Sequence, residues 1–373
     1  MHEMKQQSDD IFIVGCPRSG TYLLSTLLNH HFSVGIPVET HFIPLFYRFL
    51  YLWGDLSQES NRLRLMDDIV DFLRIWTHYE LTGVETNNDQ MFSLLEVSDR
   101  SKEIARNATG YPDMVSGMLQ AYAEKTGKRR WGEKSAFNKH LPLQYLDESV
   151  SSLKVIHLIR DPRDVALSWG KIWCGPKWVT ECALYWRTHI REKRRWGAVN
   201  RNRYLEIRYE DLVESTDAVL SRLEEFIGAE CENRDMPYWE SPLAKGLSKS
   251  STHGLLGRPM QRGNTLKWKR QMSRGDLDLV ESLCWDEIIE LGYPTVNQER
   301  PDSAWLRMRV LKESIRGMFS QRRAKVLVKN WLPVLIRFTR ALKIPMVNIF
   351  FRLCSAENEC CKRNVNTKGK DAQ

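Results

Sequence analysis

The sequence reads as an α/β protein: a parallel β-sheet flanked by helices around a P-loop-like nucleotide-binding core, with a helical C-terminal extension. Three observations lead there. Short β-branched and aromatic runs at Ile11–Val14, Val155–Ile159 and Tyr204–Arg208 have the composition of buried strands. Each run leads into a stretch of helical periodicity, and strands that alternate with helices form parallel sheets. The first run is followed by Gly15, four residues and Gly20, the glycine spacing of a phosphate-binding loop.

Ligands of such sheets sit at the carboxyl ends of the strands. After Gly20, Leu23, Leu24, Leu27 and Leu28 recur at helical spacing. Strand, glycine turn and helix thus follow in the order that offers an anion free N–H groups and the positive end of a helix dipole. From Phe42 to about Lys125 the chain is aromatic-rich and reads as helices, most clearly in "FIPLFYRFLYLW"; its aromatics belong to the core or to a cover over the site. Trp178–Val199 reads as a long basic helix. The helix after Tyr204–Arg208 starts near Ser215 or Thr216 and stops at Gly228. Residues from about Ser250 to Ser273 form a loop by glycine and basic content.

With 373 residues the chain can hold one large domain plus additions. We expect a main domain over residues 1–300, with 42–125 as its variable helical, acceptor-facing region, and a basic helical extension over 301–373 that ends in disorder. The balance of 42% hydrophobic and 27% charged residues is that of a globular protein. A net charge of +8 suits an anionic ligand or membrane surface, and no nucleic-acid-binding module is recognisable. The eight cysteines contain no Cys-x-x-Cys pair, which argues against zinc and for free thiols in a reducing compartment. The opening "MHEMKQQSDD" lacks the basic start and apolar core of a secretory signal, and no apolar run has transmembrane length, so a cytoplasmic location is expected. Between Asp302 and Lys343 eleven Lys and Arg stand against two acidic residues. Val326–Leu353 is apolar but interrupted by Lys329, Arg337, Arg340 and Lys343. That segment either lies on the anionic inner face of a membrane as an interfacial helix or packs on the main domain.

The glycine loop departs from an ATP- or GTP-binding loop at one point. Such loops continue with Lys, which reaches the terminal phosphates, and Ser or Thr, which holds magnesium; here Thr21 and Tyr22 follow. The second half of that machinery is a strand ending in an acid that helps hold the metal. The strand Val155–Ile159 ends in Arg160. A cation there repels magnesium and attracts phosphate, so the site reads as an anion cradle without a metal.

"VGCPRSGTYLL" together with "HLIRDPRDVALSW" resembles the two signature segments of the sulfotransferase superfamily, enzymes that use 3′-phosphoadenosine 5′-phosphosulfate (PAPS) as sulfuryl donor. The likeness runs from Ile11 to about Ser273 and is closest in pattern to the bacterial and protein-tyrosine-like branch. It implies Pro17, Arg18, Ser19, Gly20, Thr21 and Tyr22 around the 5′-phosphosulfate, and Arg160 and Ser168 on the 3′-phosphate. An Arg offers a fixed fork of donors that suits a phosphate dianion. By the same resemblance Tyr209 lies near the adenine, and Arg262 and Gly263, with Lys269 beside them, belong to a late loop that closes on the 3′-phosphate. Lys134 in "WGEKS" resembles the lysine of a Glu/Asp-Lys-Thr/Ser-Pro segment, with Ala136 in place of the proline; with Arg18 it would stabilise the leaving oxygen. Glu39 in "IPVETHF" is the expected base, with His41 and His140 as alternatives. The implied reaction moves a sulfuryl group to a hydroxyl or amine of a small-molecule, glycan or lipid-linked acceptor. The rival readings are a P-loop kinase-like enzyme and an inactive, membrane-associated scaffold.

Overall fold

The computed structural model describes residues 10–80, 93–134, 153–170, 176–249, 253–318 and 331–340. Five strands form one sheet: β1 (Ile11–Gly15), β2 (Val34–Gly35), β3 (Arg130–Lys134), β4 (Lys154–Ile159) and β5 (Tyr204–Arg208). Their order is β2-β3-β1-β4-β5 and every pairing is parallel. β1 lies at the centre, with Ile11 opposite Gly132 on one side and Lys154 on the other. The connections after β1 first run to one side of it and later to the other, so its carboxyl end opens on the crevice where such sheets bind ligands.

Both faces of the sheet are covered, and side-chain alternation sorts the strands between them. Ile11 and Ile13 of β1 and Ile156 and Leu158 of β4 pack with Leu24, Leu27 and Leu28 of α1 (Thr21–His31) and with the helix Thr216–Ile227. Phe12, Val14 and Val155 face the opposite side, where they meet Phe42, Phe46, Trp53, Phe72 and Tyr111. Those aromatics come from the helices Phe42–Tyr47, Glu59–Glu80 and Tyr111–Lys125 and a 3₁₀ turn at Leu50–Trp53, so the described part of this stretch is largely helical and its rings largely form core. A third cluster joins Cys16, Ile159 and Trp169 to Trp186, Val280 and Cys284 on the long helices Val179–Val199 and Arg274–Glu290.

The three strands expected from composition are present, and the parallel α/β class is the one observed. β2 and β3 carry no such signal. β2 has two residues, and β3 reads Arg-Trp-Gly-Glu-Lys, yet Glu133 and Lys134 are each 1% exposed. Burial of two charged side chains at the end of a strand is affordable only where partners neutralise them, and those partners define the site described below.

The described helical segments beyond residue 300 pack on the preceding part of the chain. The helix Ala304–Met318 buries Leu306, and its Glu313 accepts a hydrogen bond from the Thr180 amide at 3.2 Å. The helical residues 331–340 insert Leu332 and Ile336 into the core that contains Phe49 and Leu65. Arg340 there pairs with Asp67 at 3.4 Å and also reaches Asp68 and Asp71. The rest of the Val326–Leu353 segment, and His140, lie outside the described residues. Among the described residues no helix is long and apolar enough to cross a membrane. Ile336→Ala should lower unfolding free energy by about 2–4 kcal/mol, measured by urea denaturation; an unchanged midpoint would show that this helix contributes nothing to the core.

Candidate active site at the strand ends

Parallel pairing places the carboxyl ends of β1, β2, β3 and β4 on one edge, and each sends a loop or a side chain into the same crevice. From β1 comes the turn Cys16–Gly20, closed by a hydrogen bond from the Ser19 amide to the Cys16 carbonyl at 3.0 Å. Gly15 ends β1 against β4 so closely that an added Cβ would stand 2.7 Å from the Leu158 carbonyl oxygen. Gly20 opens α1 with φ at 97°, and a Cβ there would stand 2.5 Å from the Tyr209 ring. Only glycine meets both conditions at once. Pro17, Ser19 and Thr21 are buried, while Arg18 and Tyr22 are partly exposed.

Arg18 adopts φ of 73°, which costs a non-glycine residue on the order of 1 kcal/mol. The other left-handed non-glycine residues among those described are His41 and Leu266. All three lie in the loops that line this crevice, where such strain concentrates.

Arg160, just past β4, ties the loops to one another. It donates to the Arg18 carbonyl at 3.1 Å and to the Asn264 carbonyl at 2.7 Å, and its guanidinium lies 4.0 Å from the centre of the Tyr209 ring. The Tyr209 hydroxyl in turn accepts from the Asn264 side chain at 2.6 Å. Arg18 donates from Nε to the Ser168 hydroxyl at 3.2 Å, so Arg18, Arg160, Ser168 and Tyr209 do come together. The neighbouring acids are occupied elsewhere. Asp161 caps the helix Pro162–Trp169 and pairs with Arg163, whose other arm reaches Glu281 at 2.8 Å; Asp164 accepts from the Trp268 amide at 2.9 Å. Among the described residues, Arg160 makes no ion pair, and its Nε and the Ser19 hydroxyl are buried without a hydrogen-bond partner. Two buried donors without acceptors on the cradle's wall are what a bound anion would satisfy. Arg262 and Gly263 sit exposed on the 3₁₀ turn Arg262–Asn264, and Lys269 is exposed beyond it.

The second half of the site is a buried charge cluster. Glu39, from the loop after β2, takes Lys134 Nζ on one carboxylate oxygen at 2.6 Å and His41 Nε2 on the other at 2.7 Å. The Glu39 side chain is 2% exposed and Lys134 1%. Burial pushes the Glu39 pKa up, but the charges of Lys134 and then His41 outweigh it and hold the carboxyl well below its usual range. Lys134 Nζ also stands 3.0 Å from the centre of the Tyr22 ring, which joins this cluster to the glycine loop. Around it, Thr40 donates to Glu133 at 3.0 Å, and Trp76 donates from its indole to the Glu39 carbonyl at 3.1 Å.

Sequence reasoning passed over Asn264, Glu133, Thr40 and Trp76. Asn264 lies inside the "QRGNTLKWK" segment but acts through its backbone carbonyl, which no residue type reveals. His253 was also passed over: its ring centre lies 4.0 Å from that of Tyr22. Burial, Lys134 and Arg18, in that order, hold its pKa down to about 3 against the pull of Glu39.

A parallel α/β core whose glycine turn and strand-end arginine face a common crevice defines a protein of the P-loop-like, anion-binding class. Residues 10–233, more than half of the chain, match the sulfotransferase family, and the chain belongs to that family. It is similar to the mouse protein Sulfotransferase 2A6, 22% identical over 182 residues that span 42% of this chain and 63% of the mouse protein. The fold is also that of the sulfotransferase domain from the Synechococcus PCC 7002 olefin synthase (19% identity, TM-score 0.50, 84% of this chain and 96% of that one). A third relative is the sulfotransferase domain from the curacin biosynthetic pathway (21% identity, TM-score 0.53, 77% and 98%).

The Glu39–Lys134 pair makes a stability prediction. Glu39→Gln or Lys134→Met alone leaves a buried charge uncompensated and should cost about 3–5 kcal/mol. The double variant should lose clearly less than the sum of the two, as denaturant titrations in a double-mutant cycle would show. Because the folded pKa of Glu39 lies below its ordinary 4.5, its stabilising contribution is complete above that pH and is lost as pH falls through the folded value. Additive losses would mean that the pair is not coupled.

Proposed function

We propose that this sulfotransferase holds PAPS across the crevice and moves its sulfuryl group to a hydroxyl or amine acceptor. The observation that carries the reading is the linked pair of cradles: the glycine turn with Arg18 at one end, and Arg160 with Ser168 at the other, joined by the Arg160 to Arg18 hydrogen bond. A nucleotide charged at both its 5′ and 3′ positions needs two anion sites at a fixed separation. The Ser19 hydroxyl, the α1 N-terminus and Tyr22 suit the 5′-phosphosulfate, and Pro17, Gly20 and Thr21 shape that turn. Arg160 Nε and the Ser168 hydroxyl suit the 3′-phosphate, with Arg262 and Gly263 on the turn that closes over it. Tyr209, stacked under Arg160, offers its edge to the base.

Sulfuryl transfer requires the acceptor in line with sulfur and a cation near the oxygen that leaves. Lys134 and Arg18 are the cations for that oxygen. Both Glu39 oxygens are already engaged, so we assign Glu39 to holding Lys134 in place and keeping it charged, in preference to the role of base. Against a kinase-like reading, the strand-end position that would carry a metal-binding acid carries Arg160.

The acceptor reading is finer. The helix Ala304–Met318 exposes Trp305, Met308, Leu311 and Ile315 along one side, next to the exposed Lys312 and Arg316. Residues 331–340 likewise expose Trp331, Leu335 and Phe338 beside Arg337. An apolar stripe bordered by cations is the pattern of a helix seated on an anionic lipid surface. It favours a carbohydrate or lipid-linked acceptor presented there.

Saturating 3′-phosphoadenosine 5′-phosphate (PAP) without magnesium should raise the thermal midpoint; at one hundred times its Kd the native state gains about 2.7 kcal/mol. Arg160→Ala should weaken PAP binding at least tenfold by calorimetry. Stabilisation by magnesium-ATP and none by PAP would instead favour the kinase. Replacing Trp305, Leu311, Trp331 and Phe338 with Ser should abolish sedimentation with vesicles containing phosphatidylserine; undiminished sedimentation would remove the membrane reading. A screen of radiolabelled sulfate transfer over lipid, glycan and tyrosine acceptors identifies the acceptor class.

A further inference from the structure

Lys134, assigned above to the oxygen that leaves, is enclosed in the empty site. Its side chain is 1% exposed, and Glu39 takes its ammonium at 2.6 Å. The Tyr22 ring lies over the same ammonium, with Nζ 3.0 Å from the ring centre, which is direct contact. Glu39 is buried and bonded in turn to His41. Tyr22 is partly exposed and stands in the first turn of α1, next to the glycine loop. Of these two neighbours, then, it is Tyr22 that separates the ammonium from the crevice, and the way in lies through the space its ring fills. The backbone there is fixed, because the Tyr22 carbonyl accepts from the Ser25 hydroxyl at 3.0 Å and from the Thr26 hydroxyl at 2.8 Å. What can yield is the side chain, which packs against the His253 ring with centres 4.0 Å apart and planes tilted by 42°.

We propose, resting on the sulfuryl-transfer reading above, that Tyr22 is a positioning residue for Lys134: its ring holds the place of the donor's anionic oxygens on the ammonium and swings aside when they arrive. An aromatic face is the negative side of a quadrupole, a weak substitute for an anion. In the empty site it gives the buried ammonium a second partner without adding a formal charge. Anionic oxygens of the nucleotide's 5′ end make a stronger, charge-assisted contact with the same ammonium in an enclosed site. Ring and oxygens require the same space, so one excludes the other. Two consequences follow from that exclusion. Lys134 is shielded until a nucleotide charged at its 5′ end occupies the loop. After transfer the ring competes with PAP for the ammonium, which loosens the product.

The test uses the full chain labelled with 3-fluorotyrosine, with the Tyr22 resonance assigned from the Tyr22→Phe variant. Saturating PAP should shift that resonance. Adenosine 3′-phosphate, which lacks a 5′ anion, should leave it in place. By calorimetry Tyr22→Leu, which removes the π-face, should bind PAP about threefold to thirtyfold more tightly than the parent, the worth of a cation–π contact. Tyr22→Phe keeps the face and loses only the hydroxyl, so it should bind PAP as the parent does. A ring with a merely structural role would give weaker binding on truncation, not tighter. The proposal is overturned if PAP leaves the Tyr22 resonance unmoved, if adenosine 3′-phosphate shifts it as far as PAP does, or if Tyr22→Leu binds PAP no more tightly than the parent. Should Tyr22→Leu not fold, the resonance of the parent decides alone. Failure of the parent to bind PAP removes the donor reading and this proposal with it, whereas binding of PAP with an unmoved ring removes this proposal alone.

Discussion

Arg160 leaves β4 with its guanidinium committed on three sides: to the carbonyl of Arg18 on the first loop, to the carbonyl of Asn264 on the late turn, and to the face of Tyr209 after β5. These three segments are distant in sequence, and the Asn264 side chain on the Tyr209 hydroxyl adds a second link between two of them. Because the contacts are to carbonyls and a π-face, the charge of Arg160 is oriented but not neutralised. A carboxylate in any of those places would have given a firmer structural pin and an inert one. The buried salt-bridge pattern next door shows the contrast. Arg163 is satisfied by Asp161 and Glu281 and lies 3.7 Å over the Trp268 ring, a closed unit that anchors the late segment to the helix Pro162–Trp169. One arginine is saturated and holds the fold; its near neighbour is oriented and left able to accept an anion.

The same division runs through the other half of the crevice. The buried ammonium of Lys134 is paired with Glu39, whose own charge is sustained by Lys134 and His41. On the sulfuryl-transfer reading proposed above, the cluster would hold a cation for the leaving oxygen away from water, where its field would be screened. The cost appears in the backbone: His41 reaches Glu39 from a left-handed conformation, much as Arg18 does on the facing loop. Trp76 then closes the back of the cluster, with its ring 4.7 Å from His41 and its indole on the Glu39 carbonyl.

How much of this was legible in the sequence follows from how each residue acts. β1, β4 and β5 announce themselves because apolar strands buried on both faces have a composition of their own. The glycine loop is legible because Gly15 and Gly20 answer to steric demands that only glycine meets. β3 is hidden because its buried faces are polar, and Glu133 and Lys134 look like surface residues until their partners are known. Lys134 and Glu39 were found only through a family likeness; their mutual contact, 95 residues apart in sequence, is written in no local pattern. The base is the instructive case. The family likeness favoured Glu39, but whether a carboxylate is free to accept a proton depends on what already binds its oxygens.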